Sequence, residues 1–329
     1  MVSNLRSWQE PCYMAPRMMV VQLMSFGVSV AAAIGLNSTP LAAQTSVATF
    51  KSGVDLVRVS AVVRDNRGRF VRDLSAKDFE IVDEGEIRPI SDFQPNLAGV
   101  SVALLFDVSG SMEHNLPSAR EAAMHLLSWL DPKDEAAVFT FDTKLHEVSP
   151  FSSGLRKLPE SMSRMTPFGA TSLHDAIAKM AERVGTREGR RRAVVVFTDG
   201  LDNASHLEPS EVSGIASAID VPVYLFAAVP SIDNPQTEFS TGEGRFSHMG
   251  PLSDLAAWTG GHVFVASTPA ARSAAARQIV DELRHQYLIA FESSGKSGWH
   301  PLVVRARNKD LTVRARSGYM AGQSRPISD

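Results

Sequence analysis

The sequence predicts an α/β fold: a doubly wound, mainly parallel sheet with helices on both faces, inserted in or flanked by a small β-sandwich. Three observations lead there. Between about residues 97 and 283, apolar strand-like runs alternate with segments of helical periodicity, the pattern of right-handed βαβ crossovers. The run Val100-Ser101-Val102-Ala103-Leu104-Leu105-Phe106 reads as a strand buried on both faces. It leads directly into Asp107-Val108-Ser109-Gly110-Ser111, so an acid and two hydroxyls sit where open α/β sheets place their ligand sites. On either side of this region the strand-like runs are short, separated by Gly, Ser, Asn and Asp, and too few for a stable sheet of their own.

Taken in order, residues 1–43 read as a signal peptide. Arg17 precedes an uncharged, largely apolar stretch at 18–36, and small residues at 38–44 allow a cut after Ala43. An uncleaved anchor is the alternative, because the apolar run nearly suffices to span a bilayer. Met14 or Met18 would give a leader of more ordinary length. The single cysteine, Cys12, falls in this leader. The mature chain is then expected to have no disulfide, no thiol chemistry and no lipid attached through a terminal cysteine. An exported location follows: periplasm, cell surface or medium. Residues 44–96 hold an alternating strand at 54–63, a turn at Asp65-Asn66-Arg67-Gly68 and a strand from Phe79 running into a turn at Gly85. In residues 97–283, helices are expected at 119–129, 173–184, 209–218 and 270–284, with strands at 100–106, 136–141, 193–198, 221–228 and 262–265. Residues 284–320 return to strands at 287–291, 302–307 and 311–316, and 321–329 form a tail. Joining the two flanks into one sandwich, with the α/β domain inserted between its strands, is the economical reading.

Composition excludes some classes. A chain of 329 residues with 44% hydrophobic content can bury one large core or two ordinary ones, and a net charge of −3 gives no sign of a nucleic-acid partner. The basic knot of Arg187 with Arg190-Arg191-Arg192 reads as a solvated loop before a strand. The nine His are scattered without metal-ligand spacing, and there is no G-x-S-x-G, H-E-x-x-H or P-loop.

Asp107, Ser109 and Ser111 offer only oxygen. One carboxylate with two neutral hydroxyls suits Mg²⁺, which prefers hard ligands and keeps several waters. Thr171 lies in a Gly-containing loop that opens onto a helix, and Asp199 lies in Thr198-Asp199-Gly200, after the apolar run at 193–197. In order, Asp107, Ser109, Ser111, Thr171 and Asp199 match the D-x-S-x-S, distant Thr and distant Asp of a metal-ion-dependent adhesion site. The region 97–283 therefore resembles the von Willebrand factor type A family. Val-Arg-Asp-Asn-Arg-Gly at 63–68, Leu-Ser-Ala-Lys-Asp-Phe at 74–79 and the closing Arg316-Ser317-Gly318-Tyr319 extend the resemblance to a bacterial group of secreted proteins first recognised in acidobacteria. Integrin β chains show a similar inserted arrangement.

The resemblance implies a Mg²⁺ site, with Mn²⁺ or Ca²⁺ as alternatives, on an adhesion surface. If Asp199 acts through water, Asp107 supplies the main direct anionic contact and the metal stays under-neutralised. A protein partner presenting an Asp or Glu would complete the shell. Specificity would come from His114, Asn115, residues 167–170 and residues 201–205. Asp202 reads as a loop brace and Asp175 as a helix-dipole residue, while His114 and His174 read as rim contacts or solvent-exposed rings.

Two other readings compete. An acid after the first strand is similar to haloacid-dehalogenase-type phosphohydrolases, but the second acid those enzymes need stands here as Ser109, a poor proton donor. A structural module could also keep the metal for stability alone. The expected function is a secreted, Mg²⁺-dependent protein-binding module without catalysis, with no nucleic acid and no membrane span in the mature chain unless the leader stays attached.

Overall fold

The computed structural model describes residues 56–95, 99–187, 189–218, 220–227 and 250–321. The expected leader with Cys12, the first residues of the 54–63 strand, Ala228 and the tail beyond 321 lie outside them. The described residues begin with four strands, β1 (Leu56–Asp65), β2 (Phe79–Asp83), β3 (Glu86–Arg88) and β4 (Ile90–Gln94). An α/β layer follows: β5 (Val100–Asp107), α1 (Leu116–Trp129), β6 (Glu135–Phe141), β7 (Leu145–Ser153), α2 (Glu160–Ser163), α3 (Leu173–Gly185), β8 (Arg191–Thr198), α4 (Pro209–Ala218), β9 (Val223–Ala227), α5 (Gly250–Thr259), β10 (Val263–Val265) and α6 (Pro269–Arg284). Four strands close the described residues: β11 (Gln286–Glu292), β12 (Gly298–Ala306), β13 (Leu311–Arg314) and β14 (Gly318–Ala321).

The large sheet runs β10-β9-β8-β5-β6-β7, parallel throughout except for β7. Every residue of β5 is buried, because both faces of this strand are covered. Val102, Leu104 and Phe106 pack into the core shared with α1 and α6, while Ala103 and Leu105 face the core shared with α3, α4 and α5. Small residues let α1 and α6 sit close together: Ala119, Ala122 and Ala123 on one, Ala271, Ala275 and Ala276 on the other. From β5 the chain moves first to β6 on one side and later to β8 on the other. The carboxyl ends of β5 and β8 therefore flank the point where strand order reverses, the crevice such sheets use for ligands.

β7 is absent from the sequence reading. It is a half-exposed edge strand of mixed polarity, and Pro150 falls where the register with β6 shifts, so neither alternation nor an apolar run marks it. The short β3, β4 and β14, and the helices α2 and α5, were likewise outside the sequence expectations.

The two flanks are interleaved strand by strand. One sheet runs β13-β1-β11-β4 and the other β14-β12-β2-β3, so each takes two strands from before the α/β layer and two from after it. β1 pairs with β11 from Leu56↔Glu292 to Val62↔Gln286, and β2 pairs with β12 from Phe79↔Ala306 to Asp83↔Leu302. Their alternating inner residues form one core, with Val59, Ile81, Ile289, Phe291 and Tyr319 fully buried. Each such large side chain contributes about 1.5–3 kcal/mol on burial, and neither flank can bury its own without the other. Residues 53–95 produced alone should therefore show a collapsed amide spectrum without exchange protection, whereas 97–283 should fold by itself. A dispersed, protected spectrum from 53–95 would refute this account of the sandwich.

Buried polar groups tie the sandwich to the α/β layer. Glu282, near the end of α6 and 1% exposed, accepts from Arg64 Nη2 of β1 at 2.9 Å, from Arg314 Nη2 of β13 and from Gln278 Nε2 at 3.2 Å. Asp220 accepts from the Ser60 backbone at 3.1 Å and from the Ser60 hydroxyl at 2.9 Å. The basic knot departs from its expected solvated loop. Arg187 pairs with Glu135, Arg190 donates to the Lys133 carbonyl, and Arg191 is buried, donating to the carbonyls of Pro95 and Gln286. An Arg at the start of a central strand can reach the carbonyls of the adjoining domain, which periodicity along the chain does not reveal.

Candidate functional site

β5 ends in Asp107 and β8 in Thr198, side by side in the sheet, and each strand hands over to a polar loop. The Asp107 carboxylate is fully buried. Its Oδ1 accepts from the Ser109 backbone N–H at 3.0 Å and from the Ser109 hydroxyl at 2.6 Å, and its Oδ2 accepts from the Thr198 hydroxyl at 2.7 Å. Ser109 Oγ lies 3.2 Å from Ser111 Oγ, and Ser111 is exposed. A line of oxygens thus runs from the buried acid outward to solvent. Thr198 also accepts the Gly200 N–H at 3.0 Å, fixing the turn that carries Asp199. Gly200 has φ +87, a backbone region that favours glycine.

Three loops are clasped together by backbone bonds. Gly110 N donates to the Gly169 carbonyl at 3.0 Å and Phe168 N to the Val108 carbonyl at 2.8 Å, which joins the Asp107 loop to the loop before Thr171. Thr171 in turn donates its N–H to Asn203 Oδ1 at 2.9 Å, and its carbonyl accepts from Asn203 N at 3.1 Å and Ala204 N at 3.0 Å. Asn203 is a positioning residue that motif matching overlooks, since nothing in its local sequence signals a bond to a residue so far back in the chain.

The two acids set aside in the sequence do bracing work. Asp202 accepts from His174 N at 3.0 Å at the start of α3, and from Ser205 N at 3.0 Å in its own loop. Burial acts to raise its carboxyl, and the bonds from Ser205 and His174 outweigh that and hold it low. Asp175 accepts from the backbones of His206 and Leu207, each at 3.0 Å, so a loop brace, more than the helix dipole, explains it. Of the two roles expected of His174, rim contact or solvent-exposed ring, the second does not hold: it is half-buried, with Nδ1 3.2 Å from the Leu207 carbonyl. His114 is exposed beside the site.

Burial pushes the Asp107 carboxyl up to about 6, against the bonds from Ser109 and Thr198 that favour its charged form, and the neighbouring Asp199 charge adds to the rise. No ion pair reaches Asp107 among the described residues. Nor do three side chains of His, Cys, Asp and Glu converge there as a metal-ligand group, so a cation at this place has to draw on hydroxyl oxygens as well as carboxylates. Such an all-oxygen set, with a buried acid that no Lys or Arg neutralises, fits a hard divalent ion and suits a soft one poorly. Asp107, Ser109 and Thr171 are all buried, and Asp199, half-buried, and Ser111, exposed, are the motif residues that reach the surface.

The family model of the von Willebrand factor type A domain matches residues 102–201, which span β5 to the loop after β8 and contain all five residues of the motif. Over this stretch the chain is similar to von Willebrand factor type A domains. Solved structures similar to the chain include an aerotolerance-related membrane protein from Bacteroides fragilis, at 18% identity and a TM-score of 0.45, covering 56% of this chain and 98% of that one. A von Willebrand factor type A protein from Catenulispora acidiphila is similar at 13% identity and a TM-score of 0.44, covering 83% of this chain and 76% of that one. The PilB minor pilin from Streptococcus sanguinis is similar at 12% identity and a TM-score of 0.40, covering 58% of this chain and 62% of that one. Comparison with curated proteins gave no match. A von Willebrand factor type A domain points to a protein-interaction or adhesion module. Among the described residues, no helix is long and apolar enough to cross a membrane.

Proposed function

We propose that the von Willebrand factor type A domain of this chain is an exported, Mg²⁺-dependent capture site for an acidic side chain of a protein partner, and that it performs no catalysis. The observation that carries this reading is the buried Asp107 carboxylate beside Asp199, without a cationic partner, at the inner end of a line of hydroxyls that reaches solvent at Ser111. Ser109, Ser111 and Thr171 would hold the ion with their hydroxyls, and Asp107 and Asp199 would lend charge through those hydroxyls or through water. The ion supplies a positive centre that is not fully neutralised, which an outside carboxylate can satisfy. Mn²⁺ or Ca²⁺ are alternatives, and Ca²⁺ should bind less well if the site favours tight octahedral geometry.

A phosphohydrolase reading gains no support. The Asp107 oxygens that would attack a phosphate are engaged by Ser109 and Thr198, and the second acid such chemistry needs is absent at Ser109. The apolar leader at 18–36 supports export, to periplasm, cell surface or medium. To test the function, the full chain is immobilised and exposed to exported proteins of the source organism with Mg²⁺ or with EDTA, with Asp107→Asn as control. Specific capture should require Mg²⁺ and Asp107, and neutralising one Asp or Glu of the captured partner should abolish it. A partner whose affinity is unchanged in EDTA would overturn the mechanism.

A further inference from the structure

Among the described residues of the α/β layer, four large apolar side chains are exposed: Met124, Trp129, Phe168 and Leu201. The first two have partners within the fold. Met124 Sδ accepts from Leu158 N at 3.4 Å, and the Arg277 guanidinium lies 4.9 Å over the Trp129 ring. The other two stand on the loops that carry Thr171 and Asp199. Phe168 is 83% exposed and Leu201 42%.

Phe168 is also held in place. It lies between Pro167, whose ring restricts φ, and Gly169, whose φ of +89 other residues rarely adopt. Its own N–H is bonded to the Val108 carbonyl between Asp107 and Ser109, and the Gly169 carbonyl is bonded to Gly110 N. The backbone under the ring is therefore pinned to the metal loop, so presenting the ring to a partner costs little further ordering. Leu201 N donates to Asp199 Oδ1 at 3.1 Å, which ties the backbone under Leu201 to the motif acid. A single exposed apolar residue needs no explanation. Two on fixed backbones, both next to the same polar centre, do.

We infer that Phe168 and Leu201 set specificity by receiving an apolar residue adjacent to the partner's acid. The ligand is then an extended protein segment in which an Asp or Glu has an aromatic or branched aliphatic neighbour within two positions. This rests on the Mg²⁺-dependent reading above. A lipid surface fits poorly, because Glu113 in the loop after Ser111 is exposed and Asp199 and Asp202, beside Leu201 in the chain, are half-buried acids that repel anionic headgroups.

The probe is a displayed library of random short peptides, panned on the immobilised full chain in Mg²⁺ and eluted with EDTA. The wild-type protein should select an acidic residue with an apolar neighbour. Phe168→Ser should still select the acid but lose the apolar preference, and should bind a synthetic wild-type-selected peptide about tenfold or more weakly, with unchanged Mg²⁺ affinity by calorimetry. An acidic consensus without an apolar neighbour, or the same consensus and affinity on Phe168→Ser, would overturn the inference alone. Absence of any EDTA-eluted peptide on the wild-type protein would remove the metal-dependent reading and this one with it.

Discussion

Replacing Glu282 by Gln should lower the unfolding free energy by about 3 kcal/mol and the thermal midpoint by roughly 6–12 °C. Glu282 projects from α6 into the seam between the α/β layer and the sandwich, where it is the shared acceptor for Arg64 of β1 and Arg314 of β13. Removing the charge leaves both guanidiniums facing a neutral amide. The loss is placed at the lower end of the range for breaking a buried ion pair because each Arg keeps 30% side-chain exposure and recovers some hydration. Tyr224 lies fully buried beneath Arg314, and burial and the Glu282 charge push its hydroxyl up. The pH dependence has a definite sign. Burial acts to raise the Glu282 carboxyl, Arg314 and Gln278 outweigh it, and the net shift is downward. A depressed carboxyl contributes stability above its unfolded pKa, and that contribution is lost as pH falls through the folded value. Denaturant melts of wild type and Glu282→Gln should therefore differ at neutral pH and converge in acid. Equal stability at neutral pH would show that the clasp does not hold the two parts together.

Asp107→Asn should abolish stabilisation by Mg²⁺ while leaving the fold intact. At Mg²⁺ about 100-fold above Kd, binding to the folded state alone raises stability by about 2.7 kcal/mol, and this increment should vanish in Asp107→Asn and in Asp199→Asn. Asp202→Asn should keep most of it, because Asp202 braces the start of α3 and its own loop and stands outside the hydroxyl line. Thr171→Ala should lose more than Arg190→Ala, which touches only the Lys133 carbonyl and Glu135. Without metal, Asp107→Asn should stay close to wild-type stability: the amide oxygen still accepts from Ser109, loss of the acceptor for the Thr198 hydroxyl costs about 1 kcal/mol, and removal of a buried charge offsets it. Normal Mg²⁺ affinity in both Asp107→Asn and Asp199→Asn, by calorimetry, would sink the assignment of the site.

Several features of this protein are legible along the chain because their causes are local. β5 and β8 are apolar runs since both their faces are covered, and α3 and α6 carry helical spacing since one side of each packs on the sheet. The polar motif after Phe106 is visible because it follows such a run without a break. β7 and β4 are less visible: edge strands bury little, so their side chains are free to be polar, and their identity depends on neighbours supplied by β6 and β11.

The sequence by itself determined the α/β alternation, the pairing of short strands before and after it, and the order of Asp107, Ser109, Ser111, Thr171 and Asp199. These follow from periodicity and from residue chemistry, which a linear chain records. Tertiary structure alone decided that Asp107 is buried between Ser109 and Thr198, that Asn203 clasps Thr171, that Glu282 joins α6 to two sandwich strands, and that Phe168 stands exposed on a backbone bonded to the Asp107 loop. Each of these depends on hydrogen bonds or burial between segments far apart in the chain. Their energies arise only when the sheet brings the carboxyl ends of β5 and β8 together and closes the sandwich across its insertion.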